Sequence, residues 1–385
     1  MSENEAKTSL KRSSNFELLR ILAMLMIVAS HATQHSGSGD WALISGKFSL
    51  NVFATYLFGT YGQTGVILFV IISSWFLCTS NSIHINKAVR LYLQTMISNV
   101  AIFFFVKLGG FEPVGVKEFV KAILTPVYGG YWFIRTYLLF YLIVPFLQKA
   151  VQSADEKTHK KLLIILTILL PVLRFFFFVE GEFGNVGDFV YIFVAVSYLK
   201  KHEGNFLEKH CRLIFISLLI LMQTSLLGAN FFCYHFGFSS EFLEKILKRI
   251  FPCRHIFVML LSMSLFYIFK NYVKIGSSKI INAIAKTTFG VYIFHENPLY
   301  CSYGEKGLID KALLFERWLH VGEHFETDAF YPLYFLSCVL FVFVSCSLLE
   351  FLRQRMCGFV GYVFKKLSIK KNGFTLITFY LLQSI

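Results

Sequence analysis

A guanidinium and an imidazole interrupt the first apolar run of this chain, Asn15-Phe-Glu-Leu-Leu-Arg20-Ile-Leu-Ala-Met-Leu-Met-Ile-Val-Ala-Ser-His31. Ionisable side chains are costly at bilayer depth, so their presence there marks function by default. Eleven positions separate the two. At 3.6 residues per turn they share a helix face, about 20° apart in rotation and about 16 Å apart along the axis. A neutral imidazole accepts a proton near pH 7, which makes His31 a candidate general base. Arg20 can bind phosphate, orient a carboxylate or polarise a carbonyl, and Glu17, one turn earlier, is placed to pair with it. Lys87 and Arg90 are candidates for gripping a phosphorylated ligand. His295 and Glu296 stand together just before Asn297-Pro298, where a helix should break, and are candidates for facing a substrate. Trp132 and Arg135, at the start of another apolar run, complete the candidate substrate contacts. His35, His84 and His235 read as loop residues.

The elements that must position these residues are membrane helices. The chain is 56% hydrophobic and 16% charged and contains 45 Phe, with a mean hydropathy of +0.60. A soluble fold of 385 residues could not hide that much apolar surface. The expected class is an all-α polytopic membrane protein with about ten spans, near 16–34, 51–79, 90–108, 131–148, 162–179, 187–199, 212–232, 250–269, 280–299 and 329–351. The second stretch is long and carries Gly59, Gly62 and Gly65, which suggests a break or a re-entrant piece. The polar N-terminus lacks a cleavage pattern after the first apolar run, so that run is expected to stay as a span. The expected organisation is a cytoplasmic segment over residues 1–14, one transmembrane domain over 15–352 and a basic cytoplasmic tail over 353–385.

The net charge of +14 is spread over alternate loops and not gathered in one patch, which argues against a nucleic-acid partner. The N-terminus, every second loop and the tail hold roughly twice as many basic residues as the opposite loops, so the positive-inside rule puts both termini in the cytoplasm. Arg20 then lies at the cytoplasmic end of the first helix and His31 toward its outer half. The eight cysteines include no Cys-x-x-Cys pair, and neither a disulfide framework nor a metal site is expected.

Four segments, in order, resemble the acyltransferase family 3 membrane proteins, bacterial enzymes that O-acylate cell-surface glycans. Arg20-x10-His31 is similar to the family's first-helix signature. Gly65-Val-Ile-Leu-Phe-Val-Ile-Ile-Ser73-Ser74-Trp75 looks like its second-helix motif, with Ser74 where the family has Gly. Tyr131-Trp132-Phe-Ile-Arg135-Thr-Tyr137-Leu-Leu-Phe-Tyr141-Leu-Ile-Val-Pro145 resembles its Trp-Phe…Leu…Tyr…Pro stretch. Thr288-Phe-Gly290-Val-Tyr292-Ile-Phe-His295 resembles its Gly-x-Tyr-Leu-x-His stretch. The family's cytoplasmic Arg-x-x-Arg reads Lys87-Ala-Val-Arg90 here, which keeps charge but loses one bidentate fork.

The resemblance implies an enzyme of the bacterial cytoplasmic membrane that moves an acyl group, most often acetyl, from cytoplasmic acyl-CoA to a hydroxyl of a surface or lipid-linked glycan. It implies catalytic roles for His31 and Arg20, donor phosphates held by Lys87, Arg90 and Arg20, and acceptor contacts from His295, Glu296, Trp132 and Arg135. The implied partners are the lipid bilayer, acetyl-CoA as donor, the glycan acceptor and glycan-assembly proteins. His31 would serve as base in a direct transfer or would itself carry the acyl group. The rival reading is a lipid-linked oligosaccharide flippase. Such a transporter should show repeated halves with matching broken helices, and the sequence shows no internal repeat.

Overall fold

The computed structural model describes residues 13–36, 49–80, 85–110, 114–127, 130–177, 184–237, 242, 254–299, 313–327 and 329–368. Among the described residues all regular structure is helical, and no strand occurs. Six stretches are long and apolar enough to cross a bilayer: Ser14–His35, Leu50–Leu77, Asn86–Gly109, Trp132–Ser153, Cys211–Phe236 and Tyr331–Val360. The first is α1 (Ser14–His35). The second is broken at Thr60–Tyr61 into α2 (Leu50–Gly59) and α3 (Gly62–Leu77), as its glycines suggested. Next come α4 (Asn86–Gly109), the short α5 (Val116–Leu124) and α6 (Trp132–Ser153).

The remaining expected spans take other forms. The region 162–179 is α7 (Glu156–Thr167), running through a π-helical turn at Ile168–Val172, which contains Pro171, into α8 (Leu173–Phe177). The region 187–199 is α9 (Gly184–Lys201). After α10 (Phe206–Lys209) and α11 (Cys211–Phe236), the region 250–269 becomes α12 (Ile256–Asn271), apolar but only 16 residues long. The expected span 280–299 is not one helix. It is split into α13 (Lys279–Ala285) and α14 (Thr288–His295). At 1.5 Å per residue each is only about 10–12 Å long, far short of a hydrocarbon core. The hydroxyls of Thr287 and Thr288 accept this break by donating to the carbonyls of Ile284 and Ala285 at 2.7 and 2.9 Å. Broken backbone is tolerated at depth where protein surrounds it, and Gly290, Val291, Tyr292, Ile293 and His295 are all buried. A last π-helical turn (Leu313–Trp318) and α15 (His324–Thr327) precede α16 (Tyr331–Ser368). α16 carries its helix beyond residue 352, so the first part of the expected tail continues that helix; 369–385 lie outside the described residues.

The helix ends are tied at one face of the bundle. Ser14 donates to Asn282 at 3.0 Å and Asn15 to the Phe269 carbonyl at 3.0 Å. Lys200 and Lys201, adjacent in the last turn of α9, cap two different helices: Lys200 reaches the Trp75 carbonyl and Thr79, and Lys201 reaches the Val151 carbonyl. An ammonium at a helix C-terminus satisfies orphan carbonyls and meets the negative end of the helix dipole. Lys270, held by Glu203 at 3.1 Å and Glu208 at 2.9 Å, lies with Lys200 against the Trp75 ring. The N-terminus of α1 and the basic C-terminal ends of α9 and α12 therefore share one end, the end that the charge count assigns to the cytoplasm. Broad stripes of α6, α11 and α16 remain apolar and exposed, among them Phe146, Leu213 and Phe341, as lipid contact requires.

α1 and α3 run in opposite directions along a glycine seam. A Cβ at Gly59, Gly62 or Gly65 would collide with Thr33, Ser30 or the Ala23 carbonyl oxygen respectively. Small residues let membrane helices approach closely, and here they hold α1 against the broken helix beside His31. Gly65 is the strictest of the three because its obstacle is backbone. Gly65→Ala is expected to destabilise the fold by about 1–3 kcal/mol, the scale of overpacking. It should lower the unfolding temperature in detergent, whereas Gly228→Ala, with open space around it in the interior of α11, should not lower it.

Candidate active site

α1 is helical from Ser14 to His35, so the spacing argument holds in three dimensions: Arg20 and His31 share a face. Between them on that face lie Met24 and Ile27, both buried, while Arg20 and His31 keep 26% and 14% of their side chains exposed. Two polar stations separated by an apolar stretch thus replace a continuous polar wall. At the lower station Arg20 donates to Glu17 at 2.7 Å. Its charge also acts on Tyr137 of α6, whose hydroxyl bonds Ser73 of α3.

At the upper station α1 and the end of α14 meet. His31 Nδ1 lies 2.9 Å from His295 Nε2 and 2.9 Å from Glu296 Oε2. His35 Nε2 lies 3.1 Å from the same Glu296 oxygen. His295 Nδ1 lies 2.6 Å from the Val291 carbonyl one turn back in α14. Hydrogen-bond chemistry then selects tautomers. A carbonyl only accepts, so His295 carries its proton on Nδ1 and offers a lone pair at Nε2. His31 Nδ1 faces that lone pair and a carboxylate oxygen, both acceptors, so it carries the proton. In the neutral ring the basic lone pair of His31 is then on Nε2. Glu296, 5% exposed in its side chain, faces His31 as the countercharge for an imidazolium.

Glu296 reaches this place because the chain leaves α14 there. Asn297, fully buried, donates to Asn99 of α4 at 2.8 Å and to the Tyr131 hydroxyl at 2.8 Å, and its own oxygen accepts the Leu299 N–H at 2.9 Å. The Tyr131 hydroxyl donates in turn to the Ile293 carbonyl at 2.7 Å. Tyr131 enters α6 in the left-handed region, φ 35°, directly after Gly130 at φ 57°. A side chain at Gly130 would run into Pro298, so glycine is what allows the turn to close on the helix break.

The structure distributes the other candidates differently. Lys87 and Arg90 are exposed in the first two turns of α4. Arg135 is exposed on the stripe of α6 that carries Leu139, Leu142 and Phe146. Trp132 instead packs under Arg254, whose guanidinium is 5.1 Å from its ring. Arg254 and Arg174 both pair with the fully buried Asp188, at 3.0 and 2.9 Å, in a network that ties α8, α9 and the entry to α12.

Two expectations for lone histidines are corrected. His35 is not a loop residue: it is buried in the last turn of α1 and bonded to Glu296. His235 is in the last turn of α11, also helical. His84 lies outside the described residues. The spacing His31-x3-His35 puts both imidazoles on one face, and that signal was available in the sequence. Asn99 and Asn297, the amides that fix the break, carried no comparable signal.

Ligand atoms of His31, His295 and Glu296 lie within 4.8 Å of one another, close enough to hold a metal ion. Their 2.9 Å separations are also those of hydrogen bonds. As it stands, the arrangement can orient one imidazole, leave its outer nitrogen basic and neutralise the positive charge that protonation creates. That is the equipment for taking a proton from a hydroxyl. A family model described as an acyltransferase domain matches residues 13–350, from the start of α1 into α16. No curated protein and no solved structure matches the chain.

Proposed function

Because this chain belongs to the acyltransferase 3 family, we propose that it is a membrane O-acyltransferase that moves an acyl group, acetyl in the first instance, from cytoplasmic acyl-CoA to a hydroxyl of a cell-surface or lipid-linked glycan. The observation that carries this reading is the His31–Glu296 pair, which leaves His31 Nε2 as a base with its countercharge in place. In the proposed step Nε2 takes the hydroxyl proton as the oxygen attacks the thioester carbonyl. The new C–O bond forms, the C–S bond breaks, and the proton held by His31 passes to the departing sulfur as CoA leaves as the thiol. Glu296 stabilises the imidazolium between these events and needs no proton of its own. His295, buried behind His31, serves through its Nε2 lone pair and not as an acceptor contact.

The proposed donor site lies at the end of the bundle that holds Lys87, Arg90 and Arg20, with the acceptor at the His31 level. By helix rise, Arg20 and His31 are about 16 Å apart along α1, so a donor held by its phosphates at the Arg20 level extends its pantetheine arm along the bundle to bring the thioester carbonyl to the hydroxyl at His31. The proposed setting is the bacterial cytoplasmic membrane, with both termini in the cytoplasm. Exposed Lys87 and Arg90 suit the phosphates of CoA. The double change Lys87→Ala, Arg90→Ala is expected to raise KM for acetyl-CoA by about tenfold or more with little change in kcat, since it removes charge-assisted hydrogen bonds far from the acceptor. Donor-dependent initial rates in membranes check this.

The direct test is mass and NMR analysis of surface glycan from cells with and without this protein. Loss of an O-acyl ester with the glycan backbone intact is the expected result. A glycan that keeps every ester, or a cell that loses the glycan itself, would overturn the acyltransferase reading in favour of transport or assembly.

A further inference from the structure

We infer that His35 is a positioning residue of this enzyme, acting on the base through Glu296. The inference rests on the acyl-transfer reading above and goes beyond it by giving a role to a residue that need not touch either substrate. One carboxylate oxygen, Oε2 of Glu296, accepts from His31 at 2.9 Å and from His35 at 3.1 Å. The two imidazoles are one turn apart on α1, with ring centroids 5.6 Å apart. The His35 side chain is 3% exposed, which leaves it no face for a glycan or a thioester.

Glu296 needs such a partner because of where it stands. It is the first residue beyond α14, with φ −112° and ψ 28°, and the helix itself does not hold its side chain. A buried carboxylate is stabilised by its donors, and an oxygen that accepts two N–H groups is held in direction more firmly than one that accepts a single group. The donors come from the same rigid helix as the base. α1 therefore carries both the imidazole that must be oriented and the imidazole that holds its orienting carboxylate. Removing the His35 donor frees Glu296 to rotate and loosens the His31 ring, without removing the base.

The test compares His35→Gln, which offers an amide N–H at similar reach, with His35→Met and His35→Ala, which offer none. Membranes from cells making each variant receive [14C]acetyl-CoA, and alkali-labile label in the endogenous glycan is measured per folded protein. Folded protein is scored by monodispersity and unfolding temperature. His35→Met and His35→Ala are expected to lower kcat by about 10- to 100-fold at unchanged KM for acetyl-CoA, the scale of one lost charge-assisted hydrogen bond. His35→Gln should recover kcat to within about threefold of wild type, since it restores the donor. Met is close to His in volume and keeps the comparison open if Ala fails to fold. Wild-type kcat in His35→Met, or equal loss in His35→Met and His35→Gln, would overturn the inference. His31→Ala run in parallel separates the two levels. If it retains activity, the acyl-transfer reading of this site falls. If it is inactive while His35→Met is fully active, only the role of His35 falls. No label with the wild-type chain overturns both.

Discussion

His31→Ala is expected to cut acyl transfer by about 10²- to 10⁴-fold in kcat, the contribution of a positioned general base. The effect should fall on kcat and not on donor binding, because the proposed donor contacts, Lys87, Arg90 and Arg20, lie away from the His31 level. Alanine is the strongest helix former, so α1 should persist. Neighbouring imidazoles cannot substitute. His295 holds its proton against the Val291 carbonyl and sits behind His31, and His35 is turned to Glu296. The measurement is O-acyl content of the surface glycan together with initial rates in membranes, at matched protein levels. Activity within a few-fold of wild type would remove His31 from the centre of the reaction, and the family assignment would then stand without this mechanism.

Glu296→Gln is expected to be nearly as severe, also about 10²- to 10⁴-fold in kcat. The change is almost isosteric, which separates charge from shape. A neutral amide cannot balance the imidazolium that forms when His31 takes the hydroxyl proton. Its NH2 group can also face His31 Nδ1, which would favour the tautomer with the proton on Nε2 and the lone pair on the wrong nitrogen. Glu296→Asp keeps the charge but shortens the reach and should fall between. Rates for the three forms, with KM measured in each, check the argument. A Gln variant with wild-type kcat would mean that His31 needs neither the charge nor the tautomer control of Glu296.

Much of this protein was written in local pattern. The apolar runs made it a helical membrane protein, and the eleven-residue spacing put Arg20 and His31 on one face of α1, because helical periodicity depends on nothing beyond the helix. The i, i+4 spacing of His31 and His35 belonged to the same class of signal. Gly59, Gly62 and Gly65 likewise announced a broken helix, and Asn297-Pro298 announced the end of α14. The partner across each face was not written there. Arg135 stands on an exposed stripe of α6, while Trp132 meets Arg254 from far along the chain. His31 and Glu296 are more than 260 positions apart, and periodicity says which way a side chain points but not what stands opposite. Only packing decided that: the glycine seam drew α3 onto α1, and the Asn99–Tyr131–Asn297 hydrogen bonds stopped α14 at the depth where its next residue, Glu296, meets His31.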